Sequence, residues 1–204
     1  MEKEKLVMFD FDGVLIDTFL MLHGISSEVN ENLLIDEYKN FFKGNIYSAI
    51  RNDGTPRKSN PNLSNLYDIG SRELVVPDSL KNVIKNISSN FILTIVSSTP
   101  TSSIDKVLER EDLQSYFIDI LGRDVHTSKV IKIKMLLEKY SVLPENTVFV
   151  TDTVGDIKEA RECGVKSIAV TWGFHNEETL KEAKPVKIVS TPESLQEAIK
   201  DVLK

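Results

Sequence analysis

The chain has 204 residues, a net charge of -6, 41% hydrophobic residues and a single cysteine. That length allows one substantial domain and a smaller one, and the acidic balance speaks against a nucleic-acid surface. Cys163 alone excludes an intrachain disulfide and fits a reducing compartment, while the charged start with no long apolar run after it predicts no signal peptide, no transmembrane helix and a cytoplasmic location.

The first element is the apolar run Leu6 to Phe9, with the length and residue types of a buried strand. It ends in Asp10 and Asp12, separated by one residue and followed by Gly13. In an extended backbone such a pair points to one side. Two acids on one side repel each other, and either a cation or a proton shared in catalysis would relieve that. From Phe19 to Leu74 the chain turns rich in Asn, Ser and charge. Leu33, Leu34, Tyr38, Phe41 and Phe42 fall at roughly helical spacing, and Asn52-Asp53-Gly54-Thr55-Pro56 signals a turn. This predicts a small, mainly helical insertion over 19–74, reliant on the main domain for stability.

Strand and helix patterns alternate from Pro77 onward. Leu80, Val83, Ile84 and Ile87 mark a helix, and Phe91 to Val96 a strand that ends at Ser97-Ser98-Thr99-Pro100. Ile104, Val107 and Leu108 mark a second helix, and Phe117 to Leu121 a short strand. Ser128 is placed to cap a helix carrying Val130, Ile133, Leu137 and Tyr140. Thr147 to Val150 reads as a strand ending at Thr151-Asp152-Thr153-Val154-Gly155-Asp156, and the helix after it stops at Cys163-Gly164. There Cys163 reads as a small buried side chain. A strand over Lys166 to Val170, the loop Thr171 to His175, a short strand over Val186 to Val189 and a helix opened by Thr191-Pro192 complete the chain. The alternation predicts a doubly wound, mostly parallel α/β sheet, with its reactive crevice beyond the carboxyl ends of the strands.

Asp10, Asp12, Asp152 and Asp156 lie at two of those strand ends, and Ser97 and Ser98 at a third. Carboxylates gathered at one point suit a hard divalent cation such as Mg²⁺. An aspartate can also attack phosphorus, given a cation and fixed donors for the phosphoryl oxygens. Spacing alone leaves Lys129, Lys132 and Lys134 undistinguished, and His23, His126 and His175 read as surface or packing residues.

In this order the motifs resemble those of the haloacid dehalogenase superfamily, in its phosphoglycolate-phosphatase-like and beta-phosphoglucomutase-like branch with a helical cap. The resemblance runs from Leu6 to about Phe174. It implies a Rossmann-like core over 1–18 and 75–204 and a cap over 19–74. It also implies Asp10 as nucleophile, Asp12 as general acid/base, Ser97, Ser98 and Lys129 as phosphate-binding residues, and Mg²⁺ held at Asp10, Asp12, Asp152 and Asp156. Ser98, Val130 and Thr151 stand where Asn, Pro and Gly are frequent. Asp12 favours phosphoryl transfer over dehalogenation, since halide needs no proton to leave. The expected activity is hydrolysis of a small phosphorylated metabolite by a monomer or homodimer. A sugar-phosphate mutase is the alternative, and a phosphate-accepting regulatory module a more distant one. No G-x-x-x-x-G-K-S/T loop is present. Lys43, Arg51, Arg57 and Lys58 are candidates for a second anionic group, with solvated surface charge as the simpler reading.

Overall fold

The computed structural model describes residues 4–204. Strand β1 (Leu6–Phe9) is fully buried. Segment 19–74 follows and contributes no strand to the sheet. It holds α1 (Phe19–Ser27), α2 (Ile35–Asn40) and α3 (Leu63–Gly70), with 3₁₀ turns at Phe41–Lys43, Ile46–Ser48 and Ser71–Glu73. Then come α4 (Asp78–Ser88), β2 (Ile92–Val96), α5 (Thr101–Arg110), β3 (Asp119–Leu121), α6 (Lys129–Tyr140), β4 (Thr147–Thr151), α7 (Val154–Glu162), β5 (Lys166–Val170), α8 (Glu177–Glu182), β6 (Lys187–Val189) and α9 (Pro192–Val202). The six strands form one sheet in the order β3-β2-β1-β4-β5-β6, and every pairing is parallel. The expected fold class is therefore the observed one.

β1 lies inside the sheet because both of its faces are apolar. Val7 and Phe9 pack with Leu93, Ile95, Val148 and Val150 against Ile84, Ile104, Leu195 and Ile199 of the helices on one side. Leu6 and Met8 join Phe149, Ile133, Leu136 and Ala160 on the other. Successive residues thus feed opposite layers, as the pleat requires. The register pairs Phe9 with both Ile95 and Val150, so the polar residues after these three strands emerge together.

Helix ends follow the local chemistry in most places. Thr191 and Ser194 cap α9 reciprocally, with Pro192 at its first turn. Gly164 takes a φ of +73° just beyond α7, where only glycine is unstrained. Ser128 does precede α6, but its side chain makes no capping bond. The α6 Lys129 N–H instead meets the Glu159 carboxylate from α7 at 3.1 Å. The inner face of α6 runs through Val130, Ile133 and Leu136, with Leu137 and Tyr140 only half-buried. β3 starts at Asp119, just after the 3₁₀ turn Gln114–Tyr116, and the Phe117 ring sits edge-on against Phe9, 6.0 Å away. β6 likewise starts one residue after Val186, which is exposed.

Within segment 19–74, Leu33, Tyr38 and Phe41 are buried and Leu34 is 67% exposed. Their small cluster is completed by Phe174, from the loop after β5. Phe174 stacks edge-on with Phe42 and Phe19, at 4.8 and 5.0 Å between centroids. The segment thus borrows part of its core from the sheet-bearing body, in keeping with its small size. Cys163 is half-buried at the end of α7. Among the described residues no helix is long and apolar enough to cross a membrane.

Candidate active site

Asp10 is the first residue beyond β1, and its N–H bonds the Val150 carbonyl at 2.9 Å. That bond carries the ladder one step past the strand and fixes where the side chain leaves the backbone. The carboxylate accepts the Phe11 N–H at 2.7 Å on Oδ1, and Lys129 Nζ stands 2.8 Å from Oδ2. Lys129 opens α6, which aims its side chain across the strand ends. The same Nζ donates to Asp156 Oδ2 at 2.8 Å, and that oxygen also accepts the Thr151 hydroxyl at 2.7 Å. Thr151, which the sequence pattern offers only as a departure from glycine, thus anchors an acid of the site.

Asp152 sits beside this chain in a narrow slot. A Cβ at Gly13 would lie 2.1 Å from Asp152 Oδ2, and one at Gly173 would lie 2.2 Å from the same atom. Gly13 also has a φ of +73°. Both positions exclude any side chain, on grounds of space and, at Gly13, of conformation. Asp152 Oδ2 accepts the Phe174 N–H at 2.6 Å, while Oδ1 is buried without a partner.

Asp12 faces elsewhere. Its Oδ1 accepts the Tyr67 hydroxyl at 2.7 Å and its Oδ2 the Thr99 hydroxyl at 2.6 Å. One donor comes from segment 19–74 and the other from the turn after β2. Ser97 is fully buried, and its Oγ accepts the Thr99 N–H at 3.1 Å. Its carbonyl accepts from Lys132 Nζ, which also reaches the Gly122 carbonyl at 3.3 Å. The Ser98 carbonyl accepts the Tyr47 hydroxyl at 3.1 Å. The structure thus gathers Asp10, Lys129 and Asp156 into one bonded chain with Asp152 alongside, and turns Asp12 toward a separate pair of hydroxyls.

Electrostatics sharpen this picture. Burial raises the Asp10 carboxyl well above the usual range, opposed by Lys129 and reinforced by Asp156 and Asp152. Burial also pushes Asp152 up to about 7, against the pull of the Phe174 N–H. At Asp156 burial works the same way but is outweighed by Lys129, so this group stays below its ordinary value. Burial would strip the proton from Lys129, yet Asp10 and Asp156 hold it more firmly charged than usual. Three buried carboxylates therefore share one ammonium, and the site lacks positive charge.

The donor set fits a hard cation. Among the described residues no three acid, imidazole or thiol groups form a ready-made cage. Mg²⁺ asks for less: one or two carboxylates, a carbonyl and retained waters. Asp152 Oδ1 is a buried oxygen with no hydrogen-bond partner among the described residues.

Several contributors carry no sequence signal of their own. Tyr67 lies on an apolar helical face that reads as packing, and Thr99 and Glu159 look like ordinary turn and helix residues. Lys132 is fully buried rather than solvated, with burial lowering its pKa to about 8. His175 is buried too, donating from Nε2 toward the Lys39 carbonyl at 2.9 Å and accepting the Val154 N–H on Nδ1 at 3.0 Å. A cleft with about 970 Å³ of empty space, mouth included, opens above the acids. Its floor includes Asp10, Asp12 and Lys129, and its other wall comes from segment 19–74.

Comparison with known proteins places the chain among others of its fold. A phosphoglycolate phosphatase of Vibrio vulnificus (strain CMCP6) is 26% identical over 207 residues, covering 89% of this chain and 90% of that protein. A hydrolase from Pseudomonas syringae superposes with a TM-score of 0.80 at 15% identity, over 98% of this chain and 99% of that one. A candidate beta-phosphoglucomutase from Thermotoga maritima gives 0.68 at 22% identity, over 98% and 100%. The family model for haloacid dehalogenase-like hydrolases matches residues 7–170, most of the sheet and all of the site's acids, and the chain belongs to that family.

Proposed function

We propose that the protein is a Mg²⁺-dependent phosphatase that hydrolyses a small phosphate monoester through an aspartyl-phosphate on Asp10. The observation that carries this reading is the charge deficit. Asp10, Asp152 and Asp156 are buried around a single Lys129, and one Asp152 oxygen has no partner. Asp10, Asp152 and the Asp12 backbone carbonyl would hold the cation, with Asp156 supporting. When bound, it supplies positive charge to the acids and to the phosphoryl oxygens.

The chain's own residues divide the chemistry. Asp10 attacks phosphorus in line, forming its O–P bond as the ester O–P bond breaks. Asp12 passes a proton to the departing alcohol oxygen. It then takes a proton from the water that attacks phosphorus and releases Asp10, freeing inorganic phosphate. Lys129 keeps Asp10 aligned and offsets charge on the transferred group. Ser98 lies in the cleft wall, while buried Ser97 shapes the turn. We propose that segment 19–74 acts as a cap that shields this chemistry from bulk water.

The test is phosphate release from an aryl phosphate and a panel of small esters, with Mg²⁺ and with chelator. Release should depend on metal and yield inorganic phosphate rather than a rearranged sugar phosphate. Asp10→Asn should lower turnover by at least about 10³-fold with unchanged circular dichroism, because an amide is a poor nucleophile. Substantial residual activity in that folded variant would remove Asp10 from the nucleophile role.

A further inference from the structure

One cation on the cleft wall has no partner. Arg57, half-buried in segment 19–74, lines the same cleft as Asp10, Asp12 and Lys129. Among the described residues its side chain makes no ion pair and no hydrogen bond, and its Nε is buried without an acceptor. Its backbone is not adrift: the Arg57 N–H bonds the Ala49 carbonyl at 3.0 Å, beside the Ile50–Pro56 bridge. A guanidinium with a buried, unsatisfied donor loses stability unless something outside this chain accepts from it.

The neighbouring cations are accounted for. Arg51 bonds Glu37 at 3.2 Å and the Glu31 carbonyl at 2.8 Å. Lys43 stands 3.8 Å from Glu182, and exposed Lys58 is not part of the cleft. Lys129 is paired with Asp10 and Asp156. The remaining wall around Arg57 is largely apolar or aromatic, with Leu22, Ile25, Tyr38, Phe42, Ile46 and Leu63.

We propose that Arg57 is a subsite for a carboxylate on the substrate, so that the preferred monoester carries a second, singly charged anion on its leaving group. This rests on the phosphatase reading for its chemistry. One guanidinium matches one carboxylate, both in charge and in its planar two-point geometry. A second phosphate dianion would leave a negative charge uncompensated among apolar side chains.

The test uses matched esters of two lengths: 2-phosphoglycolate against ethyl phosphate, and 3-phosphoglycerate against glycerol 3-phosphate. In the wild type, kcat/KM should favour the carboxylated member of at least one pair. Arg57→Gln should cut kcat/KM for that ester by about 30-fold or more, and change its partner by less than about 3-fold. Arg57→Lys should recover only part of the loss. Equal losses on both members, or none on either, would overturn the subsite. Wild-type protein that hydrolyses no ester would instead count against the phosphatase reading. The subsite is then decided by calorimetric titration of 2-phosphoglycolate and ethyl phosphate into Asp10→Asn protein with and without Arg57→Gln. An affinity loss of about 10-fold or more confined to 2-phosphoglycolate supports the subsite, and an unchanged affinity overturns it.

Discussion

Asp12 has the unusual property that both of its oxygens are committed to hydroxyl groups, Tyr67 and Thr99, that belong to separate parts of the fold. A carboxylate held at both ends cannot rotate freely, so the proton transfer proposed for it would be aimed at one place. Removing one hold should loosen that aim without emptying the site. Tyr67→Phe is therefore expected to lower kcat by about 10-fold with little change in KM. A steady-state comparison of the two proteins checks it, and a change confined to KM would assign Tyr67 to substrate binding instead. The acids themselves were legible in the sequence, because Asp10 and Asp152 stand directly after runs that read as strands, with Asp12 and Asp156 a few residues further on. Their partners were not. Tyr67 shares an apolar helical face with Leu63 and Leu66, which reads as packing, and its hydroxyl matters only through where α3 comes to rest.

At the scale of elements, the loop Thr171 to His175 couples the sheet-bearing body to segment 19–74. Trp172 Nε1 bonds the Val14 carbonyl at 3.1 Å, the Phe174 ring fills the segment's aromatic cluster, and His175 bridges Val154 to Lys39. His175 must be neutral for this, since its Nδ1 accepts an N–H. Burial accordingly holds its pKa below the ordinary value, although the Lys39 carbonyl pulls the other way. The sign follows directly. A depressed folded-state pKa means that the stabilisation is complete above the unfolded value of about 6.5 and is lost as pH falls through the lower, folded one. His175→Ala should cost about 2 kcal/mol at pH 7.5, and the gap from wild type should narrow toward pH 5. Denaturant unfolding across that range is the measurement, and a constant gap would mean that packing rather than the imidazole's protonation state carries the effect. Sequence reading placed His175 on the surface or in packing because an isolated histidine has no partner in its own neighbourhood. Lys39 lies far away along the chain. The same distance hid the capping of α6 by Glu159, where the local signal at Ser128 pointed to the wrong side chain.

The whole molecule carries a charge debt in its interior that a bound cation would cancel. Mg²⁺ at about 100 times its dissociation constant should add about 2.7 kcal/mol to folding stability, or about 5 to 10 °C in Tm. Asp152→Asn should abolish most of that shift, because it removes the unpartnered oxygen and one of the three charges. Calorimetric melts with Mg²⁺ and with chelator read this without any substrate, and an equal shift in both proteins would place the cation elsewhere. The α/β alternation was readable at this scale because strands buried on both faces are written as unbroken apolar runs. Segment 19–74 was readable only as an absence of that alternation, since part of its core belongs to Phe174.

The strand order has one more consequence. β1 is made early, but both of its neighbours come later in the chain, β2 after the whole of segment 19–74 and α4, and β4 only after α5, β3 and α6 as well. During synthesis the apolar strand that ends in Asp10 must wait unpaired while its covering segment already exists. Segment 19–74 is translated before Lys129, Asp152 and Asp156, and a chain cut short before Thr147 lacks the strand that flanks β1 on its second side. Closing so long a loop is slow. Until β4 arrives, Leu6 to Phe9 keeps at least one unpaired edge, open to pairing with another nascent chain.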